Sequence, residues 1–155
     1  MAPGLIALVT ALAVAVVTGL AWQRTNGRIR GISSAPAPGT PEASTAGRAA
    51  ADTGPTLTSV ELGLPLGQRA TLVQFSTAFC APCRSTRRIL AEVAGMVDGV
   101  AHVEIDAESH LDLVRRLDIR RTPTVLVVGP DGRIAKRASG QPRKADVIAA
   151  VGELP

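Results

Sequence analysis

Cys80 and Cys83 are the only cysteines in the sequence, and two residues separate them in Phe79-Cys80-Ala81-Pro82-Cys83. Thiols at this spacing, where a strand runs into a helix, can close a disulfide within one helical turn and reopen it. The thiolate is the nucleophile in such exchange, so the cysteine with the depressed pKa attacks. Cys80 falls at the start of the expected helix, where unpaired N–H groups and the helix dipole favour an anion. Arg84, one turn on, adds positive charge. Cys83 lies a turn further in and is expected to be more buried, poised to resolve a mixed disulfide formed on Cys80. Pro82 stiffens the turn without removing a needed donor, because it sits in the first helical turn.

Other chemistries use the same residue types. A C-x-x-C pair is half a zinc site, and the chain has two histidines, His102 and His110. There is no second pair at zinc-like spacing, so a four-ligand metal site is not expected. His110, near a helix start, reads as a solvated surface residue. A static structural disulfide is disfavoured because so short a loop constrains the unfolded chain little. Two cysteines are also too few for a secreted disulfide framework.

The elements that position the pair follow from hydropathy patterning. Ala70 to Ser76 reads as a mostly apolar central strand. Ile89, Leu90, Val93, Met96 and Val97 then recur at helical spacing, and Gly95 and Gly99 mark that helix's end. Val100 to Ile105 alternates as the next strand, and Ser109 to Leu117 carries a second helical pattern. Thr124–Val128 and Arg133–Arg137 flank Gly129-Pro130-Asp131-Gly132, a strong hairpin signal. Pro142 opens a final helix with Val147, Ile148 and Val151. The order is β-α-β-α-β-β-α, an α/β arrangement without internal repeats. Thr58 to Leu62 reads equally as a short strand or a helical turn.

The 155 residues hold only three aromatics, Trp22, Phe75 and Phe79, so the core must be aliphatic. The net charge is +4, with 15 arginines and two lysines scattered along helical patterns. Without aromatic interleaving, these read as solvated faces and a membrane flank, and nucleic-acid binding is not expected. Ala2 to Trp22 contains no charged side chain. That is long enough to cross a hydrocarbon core as a helix, and Trp22 suits an interfacial position. No Lys or Arg precedes the apolar run, which argues against a cleaved secretory signal. The reading is a transmembrane anchor over 1–22, a basic flank and Pro/Ala/Gly-rich linker over 23–56, and a folded domain over 57–155.

From roughly Leu57 to Leu154 the chain resembles thioredoxin. The apolar strand, Phe79-Cys80-Ala81-Pro82-Cys83, Val103-Glu104-Ile105-Asp106, Arg120-Arg121-Thr122-Pro123-Thr124, the hairpin and Ser139-Gly140 fall in family order and spacing. The resemblance implies a thioredoxin fold, a mixed central sheet flanked by helices, here preceded by one N-terminal transmembrane helix. It implies no cofactor beyond the redox-active Cys80–Cys83 disulfide. It further implies a cis bond before Pro123, facing the cysteines, with the Thr122 backbone pairing with a partner's extended chain. An X-Pro bond is the one cis peptide that costs little. The partner-binding surface is then Phe79, Ala81, Pro82, Thr122 and Pro123.

The sequence departs from the family pattern at four places. Phe79 stands where Trp is usual, and Ala81 where Gly is usual. Gln74 occupies the place of the buried acid, and His102 that of its partner lysine. Gln cannot titrate, so the acid's role in taking the proton of the resolving cysteine is vacant. Water and His102 are the candidates for it, and His102 also reads as a plain strand residue.

The expected function is disulfide exchange with protein partners and an unidentified electron donor or acceptor, near a membrane. The alternative is a thioredoxin-fold binding module without efficient turnover. Arg24, Arg28 and Arg30 flank the anchor on its C-terminal side, so the positive-inside rule puts the single-pass protein's soluble domain in the cytoplasm. An inverted anchor would instead make it an extracytoplasmic reductase of cytochrome-maturation type.

Overall fold

The computed structural model describes residues 2–25, 27–31 and 54–155. Helix α1 spans Ala2–Thr25 and strand β1 Ile29–Gly31. Then come α2 (Ser59–Leu62), β2 (Ala70–Ser76), α3 (Ala81–Met96), β3 (Val100–Asp106) and α4 (Leu111–Arg116). The chain closes with β4 (Thr124–Val128), β5 (Ile134–Ser139) and α5 (Lys144–Gly152). The five strands form one sheet in the order β1-β5-β4-β2-β3. Only β2 and β3 run parallel, joined by the α3 crossover that parallel strands require, and the other pairs are antiparallel.

Period-2 alternation sends apolar side chains to both faces of this sheet. Val73, Phe75, Leu126 and Val128 join Leu57, Leu62, Val103, Ile105, Leu113 and Leu117 on the α4 face. Leu72, Val125, Val127 and Ala138 pack on the other face with Leu90, Val93, Val147 and Val151 of α3 and α5. Central β2 is buried at every position, as its near-continuous apolar run requires. Among the described residues the core is aliphatic apart from Phe75.

The stretch at Thr58–Leu62 resolves as the helical turn α2. Thr58 and Glu61 close a reciprocal capping box, with Thr58 N–H donating to Glu61 Oε2 at 2.8 Å. The hairpin turn is tied by Gly129 N–H donating to the Arg133 carbonyl at 2.8 Å, so β5 starts at Ile134 and reaches Ser139. The second helical pattern yields the shorter α4, after which Leu117 is buried in the core.

Strand β1 lies inside the segment that composition reads as a basic flank and linker. It pairs antiparallel with β5 and extends the sheet edge, with Ile29 opposite Ala138. Gly27, at φ +80°, makes the approach possible: its N–H donates to the Ser139 carbonyl at 2.9 Å. A Cβ there would stand 1.9 Å from the Gln141 carbonyl oxygen. Residues 32–53 of the expected linker lie outside the described residues.

The described side chains of α1, residues 6–21, are exposed and mostly apolar. Over the described residues, no helix is long and apolar enough to cross a membrane.

Candidate functional site

The loop after β2 delivers Cys80 to the N-cap position of α3. A Pro in the first helical turn needs no intrahelical donor, so Pro82 helps start the helix directly behind the first cysteine. Cys80 and Cys83 are joined in a disulfide, with Cα atoms 5.2 Å apart. The backbone N–H of Cys83 points at Cys80 Sγ from 3.2 Å. That donor, with the helix N-terminus, is the group that would stabilise a Cys80 thiolate once the disulfide opens. Cys83 is 2% exposed whereas Cys80 is half-buried, so the two sulfurs differ in access. Phe79 is 98% exposed, and Ala81 and Pro82 are exposed beside it.

A second loop comes to the same end of the sheet because β4 runs antiparallel to β2, with Thr124 opposite Phe75. It carries the cis peptide between Thr122 and Pro123. The Thr77 and Thr122 hydroxyls lie 3.3 Å apart and link this loop to the one leading into Cys80. Gly140 N–H donates to the Pro123 carbonyl at 2.7 Å, and Thr124 Oγ1 donates to the Arg121 carbonyl at 2.7 Å. Pro123 is buried and Thr122 half-buried.

Beneath the cysteines, Gln74 is fully buried. Its Nε2 donates to the Cys83 carbonyl at 3.0 Å and to Glu104 Oε1 at 3.4 Å, while its Oε1 has no partner among the described residues. The parallel register sets Gln74 opposite Glu104 and Ser76 opposite Asp106. Ser76 Oγ donates to Glu104 Oε1 at 2.5 Å, and Arg87 of α3 clasps both carboxylate oxygens, at 2.5 and 2.7 Å. Burial pushes the Glu104 carboxyl up, but the Arg87 and Ser76 hydrogen bonds and the Arg87 charge outweigh it and hold the group below its ordinary value. Cys80, Cys83, Arg84, Arg87, Glu104 and Asp106 line one cavity of about 450 Å³.

His102 lies on the same strand, half-buried, with Nε2 buried and unpartnered among the described residues. Burial lowers its pKa, Glu104 works the other way, and Arg87 adds to the lowering, so the fold favours the neutral imidazole. It is not among the residues lining the cysteine cavity. His110 is exposed, with Nδ1 3.0 Å from the Asp106 carbonyl oxygen. Among the described residues no group of three or more His, Cys, Asp or Glu is arranged to hold a metal ion.

Residues 64–153 match the Thioredoxin family. The chain belongs to the thioredoxin family. Thioredoxin H5 of Oryza sativa subsp. japonica is 28% identical over 72 residues, which cover 46% of this chain and 53% of that protein. The chain thus spans about half the length of this rice relative. Thioredoxin of Staphylococcus saprophyticus is 29% identical over 80 residues, covering 50% of this chain and 77% of its own. Among solved structures, chloroplastic thioredoxin z superposes with a TM-score of 0.51 at 32% identity, covering 56% of this chain and 78% of that one. A mutant thioredoxin from Halobacterium salinarum reaches 0.52 at 18% identity, over 56% and 75% of the two chains, a likeness of fold alone.

Within this thioredoxin frame, the structure brings Phe79, Cys80, Ala81, Pro82 and Cys83 together on one loop and helix start, with Gln74 beneath them. Thr122 and Pro123 arrive on the loop tied to them through Thr77. Sequence reasoning missed Ser76, Arg87 and Glu104 as a unit behind the pair. Their signal was available: on parallel neighbours, the even-numbered positions 74, 76, 102 and 104 share one face, and all four are polar.

Proposed function

We propose that this chain is a thiol–disulfide oxidoreductase acting on disulfides of protein partners, tethered to a membrane by its N-terminal apolar helix. The observation that carries the reading is the asymmetry of the pair: a half-buried Cys80 at a helix N-cap and a buried Cys83 one turn inside.

In the dithiol form, the Cys80 thiolate attacks a partner disulfide. One partner sulfur bonds to Cys80 Sγ, and the other leaves as a thiolate that takes up a proton. Cys83 then loses its proton, and its thiolate attacks Cys80 Sγ. The second partner sulfur leaves and is protonated, so the partner gains two electrons and two protons while Cys80–Cys83 closes. An external dithiol donor must supply the same two electrons and protons to restart the cycle; in the reverse direction the disulfide oxidises a partner. Gln74 cannot accept the Cys83 proton. Glu104 and Asp106 line the same cavity, and they and solvent are the candidate acceptors.

The tethering part of the reading rests on the sequence alone, on the uncharged run from Ala2 to Trp22. Arg24, Arg28 and Arg30 favour a cytoplasmic domain by the positive-inside rule. Labelling of Cys80 in intact cells by a membrane-impermeant thiol reagent would reverse that orientation and favour the extracytoplasmic reductase.

The absent buried acid favours a second reading, a binding module that grips partners beside Pro123 without turnover. Reduction of a protein disulfide by full-length protein and its Cys80→Ser and Cys83→Ser variants separates the two. Catalysis demands loss of activity with Cys80→Ser and accumulation of a mixed disulfide with Cys83→Ser. Activity unaffected by either change sinks the enzyme reading.

A further inference from the structure

Arginines accumulate along the β1–β5 edge of the sheet. In the antiparallel register, Arg30 of β1 stands directly opposite Arg137 of β5. Like charges so placed destabilise a sheet unless something lies between or over them. Arg28, Arg116 and Arg121 line the same cavity as this pair, of about 650 Å³, and Asp118 is the one carboxylate in its lining.

Little of this charge is neutralised internally. Arg116 is paired with Glu61, and Asp118 is engaged by Arg120 at 2.9 Å. Arg28, Arg30, Arg121 and Arg137 form no ion pair within 4.0 Å among the described residues. Arg137 is held by carbonyls instead, Nη2 donating to Leu117 and Nη1 to Asp118 at 3.3 Å. Its Nε is buried with no partner among the described residues. Arg121 Nη2 donates to the Ser139 carbonyl at 3.0 Å, which anchors that side chain at the cavity's rim.

We propose that this cavity is a binding site for a phosphate-bearing anion. A guanidinium presents a planar fork of donors that matches phosphate oxygens two at a time. Arg28 and Arg30 offer free forks, and Arg121 and Arg137, already held by carbonyls, add positive charge, so the concavity suits a multiply charged group better than a single carboxylate. Half-burial of Arg137 strengthens each such contact, because the local dielectric is lower than that of water. Two sources share this chemistry. Arg28 and Arg30 directly follow α1 in the chain, so an anionic lipid headgroup is one, and a soluble phosphate ester is the other. The inference does not depend on disulfide exchange, and its test reads binding alone.

Full-length protein in zwitterionic nanodiscs is titrated calorimetrically with inorganic pyrophosphate. Saturable binding is expected, weakened about tenfold or more by the double substitution Arg28→Ala/Arg30→Ala, the order expected for losing a charge-assisted hydrogen bond. Both positions are exposed, so the fold need not depend on them, whereas Arg137→Ala also removes contacts to Leu117 and Asp118. Arg69→Ala/Arg88→Ala removes equal charge elsewhere and is expected to leave the affinity unchanged. Nanodiscs containing phosphatidylglycerol then identify the source: displaced pyrophosphate assigns the site to lipid headgroups, and unchanged affinity assigns it to soluble phosphates. Absence of saturable binding, or equal loss in both double variants, overturns the proposal. So does binding of an oligoglutamate peptide where pyrophosphate does not bind.

Discussion

The side-chain amide of Gln74 donates to the backbone carbonyl of Cys83 at 3.0 Å, fastening the first turn of α3 to the central strand. Where a carboxyl would exchange protons, this amide can only hold. Its second contact, to Glu104, ties this support of Cys83 to the Arg87–Glu104 pair.

Gln74→Glu tests this relationship. The new carboxyl would face the Cys83 carbonyl and the Glu104 carboxylate, both of which favour its protonated, hydrogen-donating form. Its folded-state pKa is therefore raised above the unfolded value of about 4.3. Below that value the protonated group keeps one of the two wild-type donations, that to the Cys83 carbonyl, and stability is lost as pH rises through the folded pKa. Urea midpoints should be near wild type at pH 4, with about 2 kcal/mol or more lost by pH 8. A pH-independent difference would show that Gln74 does not sit in this electrostatic setting.

Much of this site was legible in the sequence, and the reasons differ residue by residue. The strand before Cys80 and the helix after it carry strong local signals, a mostly apolar run and a 3.6-residue period. Thr58-x-x-Glu61 is a capping-box signature that would have decided α2 from sequence. Strand β1 gives no such signal, for it is three residues long with one apolar side chain, and only β5 makes it a strand. Glu104 and Arg87 read as solvent-facing charges on their own elements. What joins them is the β2–β3 register, a non-local fact.

Glu104→Gln is expected to weaken the protein in a pH-dependent way. The Glu104 pKa is lowered from the ordinary 4.5, so its stabilising contribution is complete above that value and lost as pH falls through the folded value. At pH 7 the variant should lose about 1 kcal/mol, the weight of a charged hydrogen bond discounted for partial exposure. At pH 3 the deficit should be smaller than at pH 7. A deficit of the same size at both pH values in chemical denaturation would assign Glu104 to packing alone.

Gly27→Ala probes whether β1 belongs to the folded sheet. The φ of +80° disfavours any side chain, and the Cβ would collide with the Gln141 carbonyl oxygen. Loss of about 1–3 kcal/mol is expected, the usual cost of forcing such a backbone. Hydrogen exchange should quicken across β1 and at the β5 amides facing it, and slow exchange should persist in β2 and β4. Unchanged protection along Ile29–Gly31 would mean that the edge pairing contributes nothing in solution.

Phe79→Ala separates partner recognition from the chemistry of the sulfurs. The ring is 98% exposed, so its removal takes nothing from the core, and the urea midpoint should stay within about 0.5 kcal/mol. On the proposed reading a partner covers this exposed ring beside Cys80, and burying such a ring at an interface centre is worth about 2 kcal/mol. The exchange rate with a protein disulfide should therefore fall at least about tenfold. The rate with a small disulfide such as oxidised glutathione should change little, because that substrate offers no surface to cover the ring. An equal fall with both substrates would place the effect on Cys80 itself and remove Phe79 from the partner-binding surface.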